Sequence, residues 1–227
     1  MPWAAAHKKY GGVFMPIVYG TPLSPFVRKV MVALAEKAMP YDFELVVPIN
    51  PTPEYKKIRP LGKVPAFRDG DRSLCDSSVI IAYLEKVKPD PALYPSDAYD
   101  YARALWFEEF GDGGLSPIVG AKIFRPTITA KVTKQQADVA AIGKVVAEEL
   151  PPLFDYLEGE IDGKEWLVGN RFSIADIGVA TQFVNLQLAG YGMDAKRWPK
   201  LSAYVSRAHA RTSFSDAIGK AKAAIPN

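Results

Sequence analysis

One serine, Ser24, lies at a predicted helix start, where its hydroxyl could bind an anion. Ser24 follows the apolar run Pro16–Tyr19, which predicts a strand, and a turn at Gly20–Pro22. Ser24-Pro25 is typical of a helix start, because serine is a good N-cap and proline suits the first helical position. A hydroxyl at the positive end of a helix can donate a hydrogen bond to a negatively charged atom. The same pair also serves as a simple cap, so Ser24 alone does not establish a site.

A second helix start carries a charged residue and a hydroxyl side by side. Asp76-Ser77 follows the predicted strand Ser73–Cys75, and an Asp69-Gly70-Asp71 turn joins that strand to the predicted strand Val64–Phe67. Free backbone N–H groups at a helix start favour an anion. Asp76-Ser77 is therefore a candidate binding pair as well as a capping pair.

Both motifs belong to a region where strands and helices alternate. Residues 15–88 predict the order βαβαββα, with Tyr41–Val47 as the second strand and a short helix near Glu54–Ile58. A right-handed crossover makes the first two strands parallel, and the tight turn makes the last two antiparallel. The sequence predicts a mixed four-stranded sheet flanked by helices, the thioredoxin-like arrangement. Residues 1–14 read as a flexible N-terminal extension.

The second part of the chain predicts helices only. Prolines and charges mark a linker over 89–97, and residues 98–227 predict an all-helical bundle domain, so the fold class is α/β plus all-α. The glycine-rich segment Gly111–Pro126 predicts an interruption and a mobile rim. Thr133–Glu158 predicts one long helical pattern with a break or kink at Pro151-Pro152. Ser173 and Asp176 have the spacing of a capping box and are interpreted as structural.

Composition excludes several classes of function. The net charge of +3, from 28 basic and 25 acidic residues, is small and scattered, which argues against nucleic acid binding. One cysteine and two histidines make a metal site improbable. No stretch has the length of a membrane span, and the start lacks the apolar core of a signal peptide. A lone Cys75, interpreted as a core residue, fits a reducing, cytoplasmic compartment.

The motifs in this order resemble the cytosolic glutathione transferase superfamily, and specifically its serine-type branches. The resemblance covers nearly all of the chain after residue 15 and rests on Ser24–Val30, Lys63-Val64-Pro65, Asp76-Ser77 and Phe172–Asp176. It implies a glutathione-binding domain at 15–88 and a helical domain at 98–227 that contributes the electrophile pocket. It also implies that Ser24 holds the sulfur of glutathione as a thiolate.

The resemblance assigns further contacts along glutathione. It implies that Pro65 is cis and that the backbone of Val64 pairs with the cysteinyl part of the tripeptide, as an added strand would. Ser77 would bind the γ-glutamyl carboxylate and Asp76 the ammonium group, although several of these branches have Glu at that position. Lys63 would pair with the glycyl carboxylate; an ordinary loop lysine is the alternative interpretation.

A simple energy estimate supports the role of Ser24. A free thiol has a pKa of about 8.5, and lowering it by about two units takes roughly 2.7 kcal/mol. One hydrogen bond to an ion supplies roughly 1.5–3 kcal/mol, and a helix N-terminus adds roughly 0.3–1 kcal/mol. A hydroxyl at this helix end therefore suffices without a metal. Thr21 is a second, weaker hydroxyl candidate.

The sequence says less about the electrophile that the thiolate attacks and about the oligomeric state. Phe107, Phe110, Ile123 and Phe124 are candidates for the wall of an electrophile pocket, and an aromatic stripe at this spacing is also typical of a core. The resemblance implies a homodimer and a detoxifying conjugation of small hydrophobic electrophiles. Glutathione-dependent isomerisation, reductive ether or halide cleavage, and a non-catalytic glutathione-binding module are the alternatives that stay open.

Overall fold

In the computed structural model, residues 9–10 and 13–225 are described, and these residues divide into two compact units between Pro91 and Ala92. The boundary falls inside the segment 89–97 that the sequence analysis treats as a linker. Of the proposed extension over 1–14, residues 1–8 and 11–12 lie outside the described residues. Lys9–Tyr10 (β1) and Val13–Phe14 (β2) pair as a short antiparallel ladder.

The first unit has the predicted βαβαββα order. Its elements are β3 (Ile17–Gly20), α1 (Pro25–Glu36), β4 (Asp42–Leu45), α2 (Pro53–Ile58), β5 (Ala66–Asp69), β6 (Arg72–Cys75) and α3 (Ser77–Val87). The four strands stand in the order β4-β3-β5-β6, with β3 parallel to β4 and antiparallel to β5, and β5 antiparallel to β6. The prediction of a thioredoxin-like mixed sheet is confirmed.

Helix α1 buries more than the apolar face that its sequence pattern predicts. Besides Val27, Val30 and Leu34, it buries Arg28 and Lys29 completely. Both cations have hydrogen-bond partners in the interior: Lys29 Nζ donates to Ser78 Oγ at 3.3 Å, and Arg28 Nη2 donates to the Pro22 carbonyl at 3.1 Å. Polar contacts as well as apolar packing therefore fix α1 against its surroundings.

The second unit is all-helical, as predicted. Its α-helices are α4 (Ala98–Glu109), α5 (Arg125–Thr133), α6 (Val139–Glu148), α7 (Pro151–Glu160), α8 (Ile174–Leu188), α9 (Pro199–Ala210) and α10 (Thr212–Ala223). Almost every residue of α8 is buried, so this helix forms the centre of the unit. None of the helices described here has an apolar stretch of the length that a membrane span requires.

The glycine-rich segment after α4 corrects the sequence analysis. Instead of an interruption, Phe110–Leu115 and Pro117–Phe124 form π-helical turns that run without a break into α5; the mobile rim stays a prediction. The glycines have a packing reason: a Cβ on Gly111 would collide with the carbonyl oxygen of Gly178 in α8. Glycine here permits a close helix crossing rather than a loop.

Replacement by alanine should have opposite effects on stability at two glycines, one at this helix crossing and one in open space. A Cβ on Gly178 would lie 2.9 Å from the Glu108 Cα, whereas a Cβ on Gly143 in α6 would meet nothing within 4 Å. We expect Gly178→Ala to lower the free energy of unfolding by about 1–3 kcal/mol. Gly143→Ala should raise it by about 0.5–1 kcal/mol. Chemical denaturation of both variants measures this, and equal effects would contradict a tight crossing at Gly178.

The predicted single pattern over Thr133–Glu158 is also corrected. Lys134 has a left-handed backbone with φ of 55°, which ends α5 there, and two separate helices, α6 and α7, follow. The chain between α6 and α7 breaks just before Pro151, close to the predicted position, because proline cannot continue the hydrogen bonding of a preceding helix. The capping box of Ser173 and Asp176 at the start of α8 is confirmed.

Candidate functional site

The register of the sheet brings the sequence motifs of the first unit to one end of the strands. Tyr19 near the end of β3 pairs with Ala66 at the start of β5, and Ala66 pairs with Cys75 at the end of β6. The chain leaves β3 toward Ser24, enters β5 from Val64–Pro65 and leaves β6 toward Asp76–Ser77. Three segments that are distant in sequence therefore emerge at the same edge of the sheet.

Ser24 is the N-cap of α1, as predicted. Its Oγ accepts a hydrogen bond from the Val27 N–H at 3.4 Å, and Pro25 occupies the first helical position. The residue is half-buried, and no group in the described part of the chain accepts its hydroxyl proton. A hydroxyl in this position keeps a donor for an anion placed at the start of the helix.

The turn before Ser24 is held by contacts of its own. The Ser24 N–H donates to the Thr21 carbonyl at 3.0 Å, and the Leu23 N–H donates to Thr21 Oγ1 at 3.3 Å. The hydroxyl oxygen of Thr21 is thus engaged within the turn. Arg28 supports the turn from below through the Pro22 carbonyl, and burial lowers the pKa of this guanidinium to about 9.

The segment Lys63-Val64-Pro65 enters β5 through a cis peptide bond between Val64 and Pro65, so that prediction is confirmed. The Val64 side chain is 8% exposed, whereas Lys63 is exposed. Among the described residues, none forms a backbone hydrogen bond with the N–H or carbonyl of Val64. Unpaired strand groups of this kind can bind an extended peptide backbone.

Asp76 and Ser77 start α3. Asp76 is the N-cap: its Oδ1 accepts from the Ser78 N–H at 3.0 Å, and its backbone has φ of 80°. Strained backbone of this type clusters at functional sites. The Asp76 side chain is 52% exposed, so its carboxylate can still contact a ligand. Ser77 is 2% exposed, which favours its backbone N–H over its side chain as a ligand contact.

Sequence reasoning missed three side chains beside these segments: Arg28, Tyr55 and Arg59. Arg28 lies one helical turn after Ser24, but a cation on the buried face of a helix departs from the usual pattern. Tyr55 lies in the six-residue helix α2 and Arg59 directly follows it. The sequence indicated this short helix only through the prolines around it. Only the contacts in three dimensions identify them.

The four candidates for the wall of the electrophile pocket all lie on the long helical stretch that begins with α4. Phe107 and Ile123 have no exposed surface and Phe124 is 8% exposed, whereas Phe110 is half-buried. Phe110 packs against Tyr156 with ring centroids 5.1 Å apart. Three of the four thus belong to the core of the helical unit, and Phe110 retains surface for a ligand.

In the part of the chain that is described, no group of three or more His, Cys, Asp or Glu side chains could hold a metal ion. Cys75 is a free thiol whose Sγ donates to the Ile58 carbonyl at 2.9 Å. Burial raises the pKa of this thiol, which makes it a poor nucleophile. Cys75 is half-buried, at the end of a strand that has no fully buried residue, which corrects its interpretation as a core residue.

Comparison with known proteins identifies the family to which the chain belongs. The family model of the glutathione S-transferase N-terminal domain matches residues 18–92, and that of the C-terminal domain matches residues 135–207. Glutathione S-transferase 3 of Zea mays is 31% identical over 170 residues, which cover 70% of this chain and 72% of that protein. The chain belongs to the glutathione S-transferase family of enzymes.

The chain is also similar to a protein named for a different activity and to solved glutathione S-transferase structures. A probable maleylacetoacetate isomerase of Drosophila melanogaster is 34% identical over 114 residues, covering 48% of this chain and 46% of that protein. Among solved structures, a glutathione S-transferase from Rhodospirillum rubrum has a TM-score of 0.82 and 26% identity, covering 89% of this chain and 91% of that chain. The fold is therefore shared along most of the chain.

Proposed function

We propose that this protein binds glutathione in its first unit and stabilises the thiolate for attack on a small hydrophobic electrophile. One observation carries the proposal: the aligned residues Tyr19, Ala66 and Cys75 direct three motifs to the same end of the sheet. These motifs offer a hydroxyl, free strand groups and a helix start with a carboxylate. Glutathione needs all three kinds of partner, since it has a thiol, a peptide backbone and a charged glutamyl end.

Ser24 takes the catalytic role in this proposal. Its hydroxyl donates to the sulfur anion while the N-terminus of α1 adds a favourable potential, and together these lower the thiol pKa by about two units. Ser24 Oγ can accept from the Val27 N–H and donate to sulfur at the same time. The sulfur then carries a negative charge near neutral pH and attacks the electrophile directly.

The remaining partners hold the ends of the tripeptide. The backbone of Val64, next to the cis bond to Pro65, pairs with the cysteinyl residue, and the exposed Lys63 pairs with the glycyl carboxylate. Asp76 binds the glutamyl ammonium group, and the Ser77 end of α3 binds the glutamyl carboxylate. These contacts position the sulfur, so most of the affinity is independent of Ser24.

The electrophile is assigned to the helical unit. Phe110 is the candidate for an apolar contact, because the side chains of Phe107, Ile123 and Phe124 are already committed to the core. The free thiol of Cys75 supports a reducing, cytoplasmic setting. Conjugation of reactive apolar compounds in that setting amounts to detoxification.

A glutathione-dependent isomerase is the second candidate, because the named isomerase relative shares 34% identity over its matched part. Reductive ether or halide cleavage would use the same thiolate, and a non-catalytic module would bind glutathione without turnover. Glutathione titration followed by assays with an aryl halide and with a cis-dienone separates conjugation, isomerisation and binding without turnover. Conjugation of the aryl halide supports the proposal; binding without any turnover supports the module, and absence of glutathione binding contradicts the proposal.

We also propose a homodimer that uses the outer face of α4. Tyr101, Leu105 and Trp106 lie on one side of this helix and are 44%, 37% and 47% exposed, which is unusual for a stripe of large apolar side chains. A second copy of the chain is the proposed occupant, as in the family generally. Two-fold symmetry would bring the same stripe of each copy into one interface.

A charged substitution on α4 tests the dimer. We expect the wild type to sediment as a dimer and Leu105→Glu as a monomer, because like charges would face each other in a desolvated interface. Val139→Glu, at an apolar position of α6 that is 67% exposed, is the control and should stay dimeric. A monomeric wild type, or a dimeric Leu105→Glu, would show that this face is not the interface.

A further inference from the structure

The C-terminal turn of α2 carries polar side chains on the side of the proposed glutathione site. Tyr55 is 1% exposed, and Arg59, the residue that ends the helix, has a side chain that is 11% exposed. A six-residue helix has little packing of its own, so buried polar groups must have partners elsewhere. Those partners are the two segments, Lys63–Pro65 and Cys75–Ser77, that would hold glutathione.

The first link runs from Tyr55 to the segment before β5. The Tyr55 hydroxyl donates to the Lys63 carbonyl at 2.8 Å, one residue before Val64. Burial raises the pKa of this hydroxyl to about 12, so it remains a donor at neutral pH. The bond fixes the peptide plane between Lys63 and Val64, and with it the direction of the Val64 N–H.

The second link runs from Arg59 to the start of α3. Arg59 Nη2 lies 3.9 Å from Asp76 Oδ2, and the guanidinium also interacts with the Cys75 thiol. The Cys75 thiol in turn donates to the Ile58 carbonyl at 2.9 Å. The same helix turn therefore contacts Asp76, the proposed ligand of the glutamyl ammonium group, and Cys75, the residue before it.

We propose that Tyr55 and Arg59 are positioning residues that set the affinity of this protein for glutathione without taking part in thiolate formation. This inference rests on the proposed function. Tyr55 acts through the backbone at Lys63–Val64, and Arg59 acts through the Asp76 carboxylate. In the described part of the chain, neither residue has a hydrogen bond, ion pair or ring contact with Ser24. The helix turn is thus a specificity element for the peptide and glutamyl parts of the substrate.

Calorimetric titration of glutathione against Tyr55→Phe and Arg59→Met tests this proposal. We expect the Kd to rise about threefold to tenfold in each variant, the range of one lost hydrogen bond or weak ion pair. The kcat at saturating glutathione and the pKa of the bound thiol should match the wild type. Arg72→Met and Tyr99→Phe, exposed residues of the same types, should leave the Kd unchanged.

Two further variants distinguish positioning from a general loss of structure. Arg59→Lys keeps the charge and should recover part of the affinity. In an Asp76→Asn background Arg59→Met should have little further effect, because the carboxylate through which Arg59 acts is gone. Wild-type Kd values in both Tyr55→Phe and Arg59→Met, or a shifted thiol pKa, would overturn the inference. A wild type that binds no glutathione would instead overturn the proposed function.

Discussion

Ser24→Ala should lower kcat/KM for glutathione conjugation about 10- to 100-fold at neutral pH while changing the Kd of glutathione little. The hydroxyl contributes about 1.5–3 kcal/mol to an anion and much less to a neutral thiol. Removing it therefore raises the thiol pKa by about one to two units. The tripeptide contacts at Lys63–Pro65 and Asp76–Ser77 remain, so binding remains. Steady-state rates across pH together with calorimetric titration measure both quantities.

The control for this variant is the other hydroxyl in the same turn. Thr21 Oγ1 already accepts from the Leu23 N–H, so Thr21→Val should reduce kcat/KM by less than about threefold. The loss in Ser24→Ala should also shrink as the pH rises, because the thiolate then forms without assistance. A larger effect in Thr21→Val than in Ser24→Ala would transfer the catalytic role to Thr21.

Asp176→Ala should lower the free energy of unfolding by about 3–5 kcal/mol, enough to unfold many domains. Oδ1 of this buried carboxylate accepts from the Leu167 N–H at 3.1 Å and the Tyr204 hydroxyl at 3.0 Å. Oδ2 accepts from the Ser173 N–H at 2.9 Å. Burial raises the pKa of Asp176 to about 6. The Ser173 hydroxyl also donates to Oδ2, at 3.4 Å, so the variant removes one acceptor group and leaves four buried donors without a partner.

An exposed aspartate cap provides the matched comparison. Asp138 caps α6 by accepting from the Ala141 N–H at 2.9 Å at an exposed site, so Asp138→Ala should lower the free energy of unfolding by only about 0.5–2 kcal/mol. Chemical denaturation of both variants gives the two values. Values that agree within error would show that burial and the long-range contacts of Asp176 add nothing to its stabilising effect.

Local patterns were sufficient for the first unit because its signals are short-range. Alternation, the Asp69–Asp71 turn and the two helix starts all depend on neighbouring residues, and the βαβαββα order follows from them. The helix starts also located Ser24 and Asp76. Their convergence at one end of the sheet then required only the rule for strand connections.

The errors arose where a distant partner decides the local structure. Gly111 breaks a helix by its own propensity, yet the backbone of Gly178, distant in sequence, makes it a contact point and keeps the helix continuous. Arg28 is a charged residue on the buried face of α1, where its guanidinium donates a hydrogen bond to the Pro22 carbonyl. Tyr55 and Arg59 have no local pattern at all, since their partners lie on other strands and turns. None of these partnerships has a signature in a single sequence.

Titration of the thiol of glutathione bound to the wild-type protein tests the central claim most directly. The ultraviolet absorbance of the thiolate, followed against pH in the saturated complex, yields the pKa of the bound sulfur. Contacts from Ser24 and the N-terminus of α1 predict a value about two units below the value of about 8.5 for a free thiol. A bound thiol that titrates with the pKa of free glutathione, or no saturable complex at all, would contradict the account.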